Sequence, residues 1–202
     1  MNELAQLGSA TVHEAAARSA VVDLDLVQVI PGSRAAGPAR TVLCGQADNL
    51  MVHAAIAEAQ PGEVLVLTMP EPAPFALVGE LLATQAKGRG IAAILVDAAV
   101  RDVEELRDVG LPIWARFVRV RGADKKARGS IGETVEVGGA VIRQGDVVVL
   151  DANGAVVVER ERVEEVLAAA RDRAERETVK RAQLEEGALS YDLDDLRRLI
   201  EG

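Results

Sequence analysis

Arg101 and Asp102 stand side by side just after the apolar run Ile91 to Val96, with Glu104 and Glu105 close behind and Glu80 one segment upstream. Those residue types suit one chemistry. A hard carboxylate is a ligand for Mg²⁺ or Mn²⁺, and a guanidinium grips a carboxylate through two parallel hydrogen bonds. Ala98 and Ala99, just before the pair, let another backbone approach closely. Spacing alone leaves a second reading open, because an Arg-Asp pair at a helix start also serves as a cap and a surface ion pair. Other candidates are sparse. His13, beside Glu14, is a secondary one, whereas His53 lies between Val52 and Ala54 in a helical pattern and reads as a packed side chain. Cys44, the only cysteine, ends the apolar stretch Thr41-Val42-Leu43 and reads as a small core residue. The chain carries no Gly-Lys-Ser/Thr phosphate loop, no glycine-rich dinucleotide fingerprint and no Cys/His zinc spacing. Gly8-Ser9-Ala10 lacks the flanks of a nucleophile elbow.

The elements that must position Arg101 and Asp102 follow from periodicity and punctuation. A short helix is expected from Val12 to Arg18, with Ser9 or Thr11 to cap it, then a turn at Pro31-Gly32-Ser33 and a strand from Ala39 to Cys44. Asp48 and Asn49 can cap a helix from Leu50 to Ala59, which Pro61-Gly62 closes, and Val64 to Met69 reads as a buried strand. The prolines at 70, 72 and 74 impose a stiff loop. A helix from Gly79 to Lys87 and a strand from Ile91 to Val96 then deliver the chain to the Arg-Asp pair and another helix. From Pro112 onward, short β segments are expected at Ile113 to Val120, Glu133 to Val137, Ala140 to Ile142, Val147 to Leu150 and Ala155 to Val158. Gly138-Gly139 and Asn153-Gly154 are hairpin signals among them.

The apolar share is 49% with only 2% aromatic residues, so the interior must be built of Val, Leu, Ile and Ala, as suits an α/β core. With no linker in 202 residues, one domain over 1–160 is expected. Beyond Glu159 the composition turns to Glu, Arg and Ala, giving a helical extension over 161–202 whose helix runs from Val163 to Leu184. Such a helix either stands solvated or docks on a neighbouring subunit. The formal charge of −9 opposes non-specific binding of nucleic acid. No apolar run is long enough to span a bilayer and the first residues lack the pattern of a signal peptide, so a cytoplasmic protein without membrane contact is expected.

At the Arg-Asp pair the chain resembles the RraA-like superfamily, and within it the 4-hydroxy-4-methyl-2-oxoglutarate / 4-carboxy-4-hydroxy-2-oxoadipate aldolase branch. The family pattern is Gly followed by an acid, a spacer, then Arg-Asp and a further acid. Here it reads Gly79-Glu80-Leu81-Leu82 through Arg101-Asp102-Val103-Glu104-Glu105. Ala10-Thr11-Val12-His13-Glu14-Ala15, Gly37-Pro38-Ala39, Asp48-Asn49-Leu50, Pro61-Gly62-Glu63-Val64, Pro112-Ile113-Trp114-Ala115-Arg116 and Gly145-Asp146 also resemble family segments, in family order. Two departures stand out: a proline-rich stretch replaces a glycine-rich one before Gly79, and Ala98 stands where Gly is frequent.

The resemblance implies a compact swivelling-type β/β/α domain with a C-terminal helical extension, assembled as a trimer or hexamer. It implies a class II pyruvate aldolase that takes a keto-acid substrate and a divalent cation, Mg²⁺ or Mn²⁺, with oxaloacetate decarboxylation as a second activity. By that resemblance Asp102 anchors the metal and Arg101 binds the pyruvyl group. The amides of Gly79, Glu80, Leu81 and Leu82 receive the carboxylate, and Glu80 orients a water for proton transfer. A glutamate from a neighbouring subunit completes the metal site, with Glu177 the best match and Glu175 the alternative. No Schiff-base lysine is called for, and Lys87 shows no setting for one. The competing readings are a dedicated keto-acid decarboxylase and a non-catalytic regulator of ribonuclease activity, a branch that generally lacks the long C-terminal helix.

Overall fold

The computed structural model describes residues 1–18 and 21–201; Gly202, the last residue of the extension, lies outside the described residues. Helices α1 (Asn2–Leu7) and α2 (Ser9–Ala15) lead into strands β1 (Val21–Val22), β2 (Val27–Gln28) and β3 (Ala35–Leu43). Helix α3 (Leu50–Glu58), β4 (Val64–Thr68), β5 (Ala76–Val78), α4 (Glu80–Gly88), β6 (Ala93–Val100), α5 (Val103–Val109) and β7 (Ile113–Val118) form the α/β half. Strands β8 (Ser130–Ile131), β9 (Val135–Val137), β10 (Ala140–Ile142), β11 (Val147–Asp151) and β12 (Gly154–Val158) follow, then a 3-10 turn and helices α6 (Val163–Glu185), α7 (Ser190–Leu193) and α8 (Arg197–Glu201).

One ten-stranded sheet runs in the order β1-β12-β11-β3-β4-β6-β7-β2, with β5 added to β6 and β8 to β3. Strands β3, β4, β6 and β7 are parallel neighbours, while β11, β12 and β1 continue the sheet antiparallel. Every residue of β4 and β6 is buried, as expected of parallel strands covered on both faces. The two-residue period divides them: Leu65, Leu67, Ile94 and Val96 pack under α3, α4 and α5. Val64, Val66, Ala93 and Leu95 meet Val148, Leu150, Trp114 and the β9–β10 hairpin. The outer face of the antiparallel half, Val147, Val149, Val156 and Val158, is covered by Leu4, Val12 and Val166 from α1, α2 and α6. Helices therefore lie outside both halves of a folded-over sheet, and the expected β/β/α arrangement gains a fourth layer.

Several boundaries differ from expectation. A helix not foreseen, α1, comes first, and the helix expected from Val12 to Arg18 is α2, Ser9–Ala15; Ser9 forms no side-chain cap, its amide and hydroxyl donating instead to Asp151 at 2.8 and 2.6 Å. Asn49 likewise forms no side-chain cap on α3, although Asp48 Oδ1 accepts the Leu50 amide at 2.8 Å. Strand β6 does not end at Val96 but runs to Val100, with Asp97 buried inside it and bonded to Arg116 Nη1 at 3.0 Å. Strands β1, β2 and β5 are two or three residues long, too short to carry a period. The hairpins at Gly138-Gly139 and before Gly154 form as read, and the two paired glycines have φ of 53° and 76°, the left-handed values of a tight turn.

Candidate active site

Strands β5 and β6 run parallel, with Val78 opposite Val100, and each passes directly into a helix. The Gly79 turn and the Arg101-Asp102 pair thereby become neighbours, joined by a bond from the Arg101 amide to the Val78 carbonyl at 3.1 Å. Gly79 has an extended backbone, φ −134°, that any residue adopts, so space and not conformation demands glycine. A Cβ there would lie 2.4 Å from Asp102 Oδ2 and 3.3 Å from Arg101 Nε. Asp102 itself takes the left-handed conformation, φ 59°, ψ 47°, which costs an L residue about 1–2 kcal/mol. Its carboxylate accepts the Glu80 amide at 3.2 Å and lies 3.6 Å from Arg101 Nε.

These residues open onto a cavity of about 180 Å³ lined by Gly79, Leu81, Leu82, Arg101, Asp102, Asn49, His53 and Lys125. Arg101 and Asp102 are half-exposed and reachable by a ligand. The first-turn amides of α4 point out of the helix end. The carbonyls one turn before Leu81 and Leu82 are those of Leu77 and Val78, already engaged by Asn49 Nδ2 and the Arg101 amide. Helix end, guanidinium and Lys125 together favour an anion.

Residues 119–128 close one side. Gly122 packs so near the guanidinium that a Cβ would lie 2.9 Å from Arg101 Nη1. Asp48, buried, clamps this segment by accepting the Lys126 and Ala127 amides at 2.6 and 2.9 Å. Burial pushes its carboxyl up, but bonds from the amides of Ala127, Lys126 and Leu50 outweigh that and leave its pKa lowered. Gln46 pairs with the Glu71 backbone and pins the proline loop, at 2.9 and 3.0 Å.

Residues 9–157 match the RraA-like family, Aldolase/RraA. The chain belongs to that family. A curated relative from Halalkalibacterium halodurans, provisionally named a 4-hydroxy-4-methyl-2-oxoglutarate aldolase, is 37% identical over 131 residues; the match spans 65% of this chain and only 62% of that protein. Among solved structures, Streptomyces coelicolor RraAS2, titled an unusual member of the RNase ES inhibitor RraA family, is 29% identical with a TM-score of 0.79. That match covers 90% of this chain and 96% of the other, so it reaches into α6, and a long C-terminal helix does not by itself separate the branches. An uncharacterized protein from Pseudomonas syringae pv. tomato shares the fold, with TM-score 0.84, 21% identity and coverage of 93% and 89%.

Of the site residues expected in this RraA-like chain, Gly79, Leu81, Leu82, Arg101 and Asp102 converge on the cavity. Glu80 contributes its amide there, but its side chain turns onto α4, where Oε1 accepts Thr84 Oγ1 at 3.3 Å, and lines a separate groove with Lys87 and Glu105. Glu177 is on α6, paired with Arg173 Nη2 at 2.8 Å, and does not line the cavity of its own chain; Glu175 lies in a groove between α6 and the tail. His13 sits in α2, against α6 and away from the cavity. Cys44 is core, its thiol pushed up to about 12 by burial and by the Asp48 charge. Lys87 Nζ donates to the Val109 carbonyl at 2.5 Å.

Sequence reasoning missed His53 and Asn49 as lining residues. The usable signal was their four-residue spacing, which sets both on one helix face. Burial, with a smaller contribution from the Lys125 charge, lowers the His53 pKa.

Among the described residues, no group of three or more His, Cys, Asp or Glu could hold a metal ion. One carboxylate, that of Asp102, lines the cavity. This donor set fits a hard cation that keeps most of its waters and does not fit a closed nitrogen or sulfur site.

Proposed function

We propose that the protein is a divalent-metal-dependent aldolase that cleaves 4-hydroxy-2-oxo di- and tricarboxylic acids, such as 4-hydroxy-4-methyl-2-oxoglutarate and 4-carboxy-4-hydroxy-2-oxoadipate, to pyruvate and a second keto acid. The observation that carries it is the convergence of the α4 first turn, Arg101 and Asp102 on one cavity. The amides of Leu81 and Leu82 receive the C1 carboxylate of the substrate. Arg101 lies beside the keto oxygen and supplies positive charge as an enolate develops there. Asp102 would hold Mg²⁺ or Mn²⁺, which supplies Lewis-acid polarisation of the keto group. No lysine adduct is needed, since a cation at Asp102 would supply the electron sink; Lys87 is bonded away on another face. Loss of CO₂ from oxaloacetate leaves the same pyruvate enolate, so decarboxylation accompanies aldol cleavage.

The half-exposed Asp102 and the single carboxylate in the cavity support a site shared between subunits. In the proposed assembly, a trimer or hexamer, Glu177 of a neighbouring subunit adds the second carboxylate. The working location is the cytoplasm; no helix among the described residues is long and apolar enough to cross a membrane. The likeness to RraAS2 favours a second reading, a protein-binding regulator of ribonuclease activity without catalysis. Pyruvate release decides between them, assayed with Mg²⁺ from both hydroxy acids and from oxaloacetate, with Asp102→Ala as control. The aldolase reading expects turnover that the variant loses; no turnover of any substrate refutes it.

A further inference from the structure

The cavity has a polar wall that binding of the pyruvyl end leaves unused. Asn49 precedes α3 and His53 follows one turn later, so both side chains reach the cavity from the same face. Asn49 is only 8% exposed. Its Nδ2 donates to the Leu77 carbonyl at 3.1 Å, which fixes the amide, because the flipped form would set oxygen against oxygen. Oδ1 is left as an acceptor. Among the described residues neither Asn49 Oδ1 nor His53 Nε2 has a hydrogen-bond partner, and both atoms are shielded from solvent. Buried polar atoms without partners are costly and uncommon, and two on one cavity wall point to a ligand that donates to them. Arg101, Lys125 and Asp102 are the charged groups on the same cavity. The imidazole, held below its ordinary pKa, is neutral near pH 7 and carries a lone pair.

We infer that Asn49 and His53 form the subsite for the hydroxyl of a 4-hydroxy-2-oxo acid, with His53 Nε2 taking the hydroxyl proton as the carbon–carbon bond breaks. The inference rests on the aldolase reading and adds the group that separates a hydroxy acid from oxaloacetate. In the step, the O–H pair becomes the new C=O bond of the departing keto acid, and the C3–C4 pair stays on the three-carbon fragment as pyruvate enolate. The proton passes to His53 and then to C3, directly or through water, so the imidazole ends neutral.

Oxaloacetate has no such hydroxyl, and this separates the two activities. His53→Gln and His53→Ala lower kcat for aldol cleavage about 100-fold, within the usual range for loss of a general base, and lower the ratio of cleavage to decarboxylation at least about 30-fold. A merely structural role lowers both rates together and leaves the ratio unmoved, which overturns the inference while the aldolase reading stands. A second readout needs no turnover. The chain has two histidines, so one variant assigns the imidazole resonances. The His53 signal shifts with 2,4-dihydroxy-4-methylglutarate, a keto-reduced and uncleavable form of the substrate, and far less with 2-hydroxy-4-methylglutarate, which lacks the second hydroxyl. Equal responses to the two probes overturn the subsite. Wild-type protein inactive on every substrate refutes the aldolase reading instead, and a hydroxyl-dependent shift in that protein keeps the subsite.

Discussion

Gly79→Ala isolates the geometry on which the proposed chemistry depends. The backbone at Gly79 is extended, so alanine brings no conformational strain. The added Cβ would lie 2.4 Å from Asp102 Oδ2, where real contacts of this kind do not fall below 3.0 Å, so the carboxylate or the turn must move by at least 0.6 Å. Asp102 cannot yield without loss. It is held in the left-handed region, and its carboxylate is bonded to the Glu80 amide. A misplacement approaching 1 Å costs on the order of 100-fold in rate where reacting groups are preorganised. We expect kcat for pyruvate release to fall about 10- to 100-fold and Mg²⁺ affinity to weaken in parallel. Stability changes little, by about 1 kcal/mol or less, because the carboxylate is half-exposed and moves into open space. A coupled assay for pyruvate, calorimetric titration with Mg²⁺ and a thermal melt measure the three. Wild-type turnover and metal affinity in Gly79→Ala would refute the role given to this contact.

Gly122→Ala meets only the far end of the flexible Arg101 side chain, so turnover should drop less than about tenfold, well short of the loss in Arg101→Ala, since preorganised charge at the developing oxyanion contributes about 10²–10³. Arg101→Lys keeps the charge but loses the fixed fork of donors beside the keto oxygen, so kcat for pyruvate release falls, though less than in Arg101→Ala; wild-type turnover argues against that contact. Asp48 and Asp151 both have lowered pKa values: burial raises each, and backbone bonds from Ala127, Lys126 and Leu50, or bonds from Ser9 and Asn153, overcome it. Their stabilisation is present above the unfolded carboxyl pKa and is lost as pH falls through the lowered folded values. The melting temperature should therefore fall below about pH 4, with a shallower slope in Asp48→Asn and Asp151→Asn. Borohydride with pyruvate should leave activity intact, because the metal-dependent route forms no lysine adduct; inactivation would instead point to Lys125, the lysine on the cavity.

The long strands and the pair at the end of β6 were legible because local signals carry them: apolar runs, punctuating glycines, and an Arg-Asp pair at a strand-to-helix passage. Contacts set by long-range pairing were not. Strand β5 is three residues hidden behind prolines, yet its pairing with β6 is what brings Gly79 against Asp102. Asp97 looked like the end of a strand because a charge seldom lies inside one, and its partner Arg116 comes from the neighbouring strand β7. Glu80 stands near the pair in space, but the helix start gives the site its amide and sends its carboxylate along α4. His53 looks like packing in sequence, and only the cavity beside it and its unpartnered nitrogen mark it as more.

The central claim, a metal and keto-acid site at the meeting of α4 and the Arg101-Asp102 pair, is tested most directly by an anomalous difference map from crystals soaked with Mn²⁺ and pyruvate. We expect the manganese peak at the Asp102 carboxylate, with pyruvate between it, Arg101 and the first-turn amides of α4. A peak elsewhere, or none at Asp102 with pyruvate bound, would contradict the account.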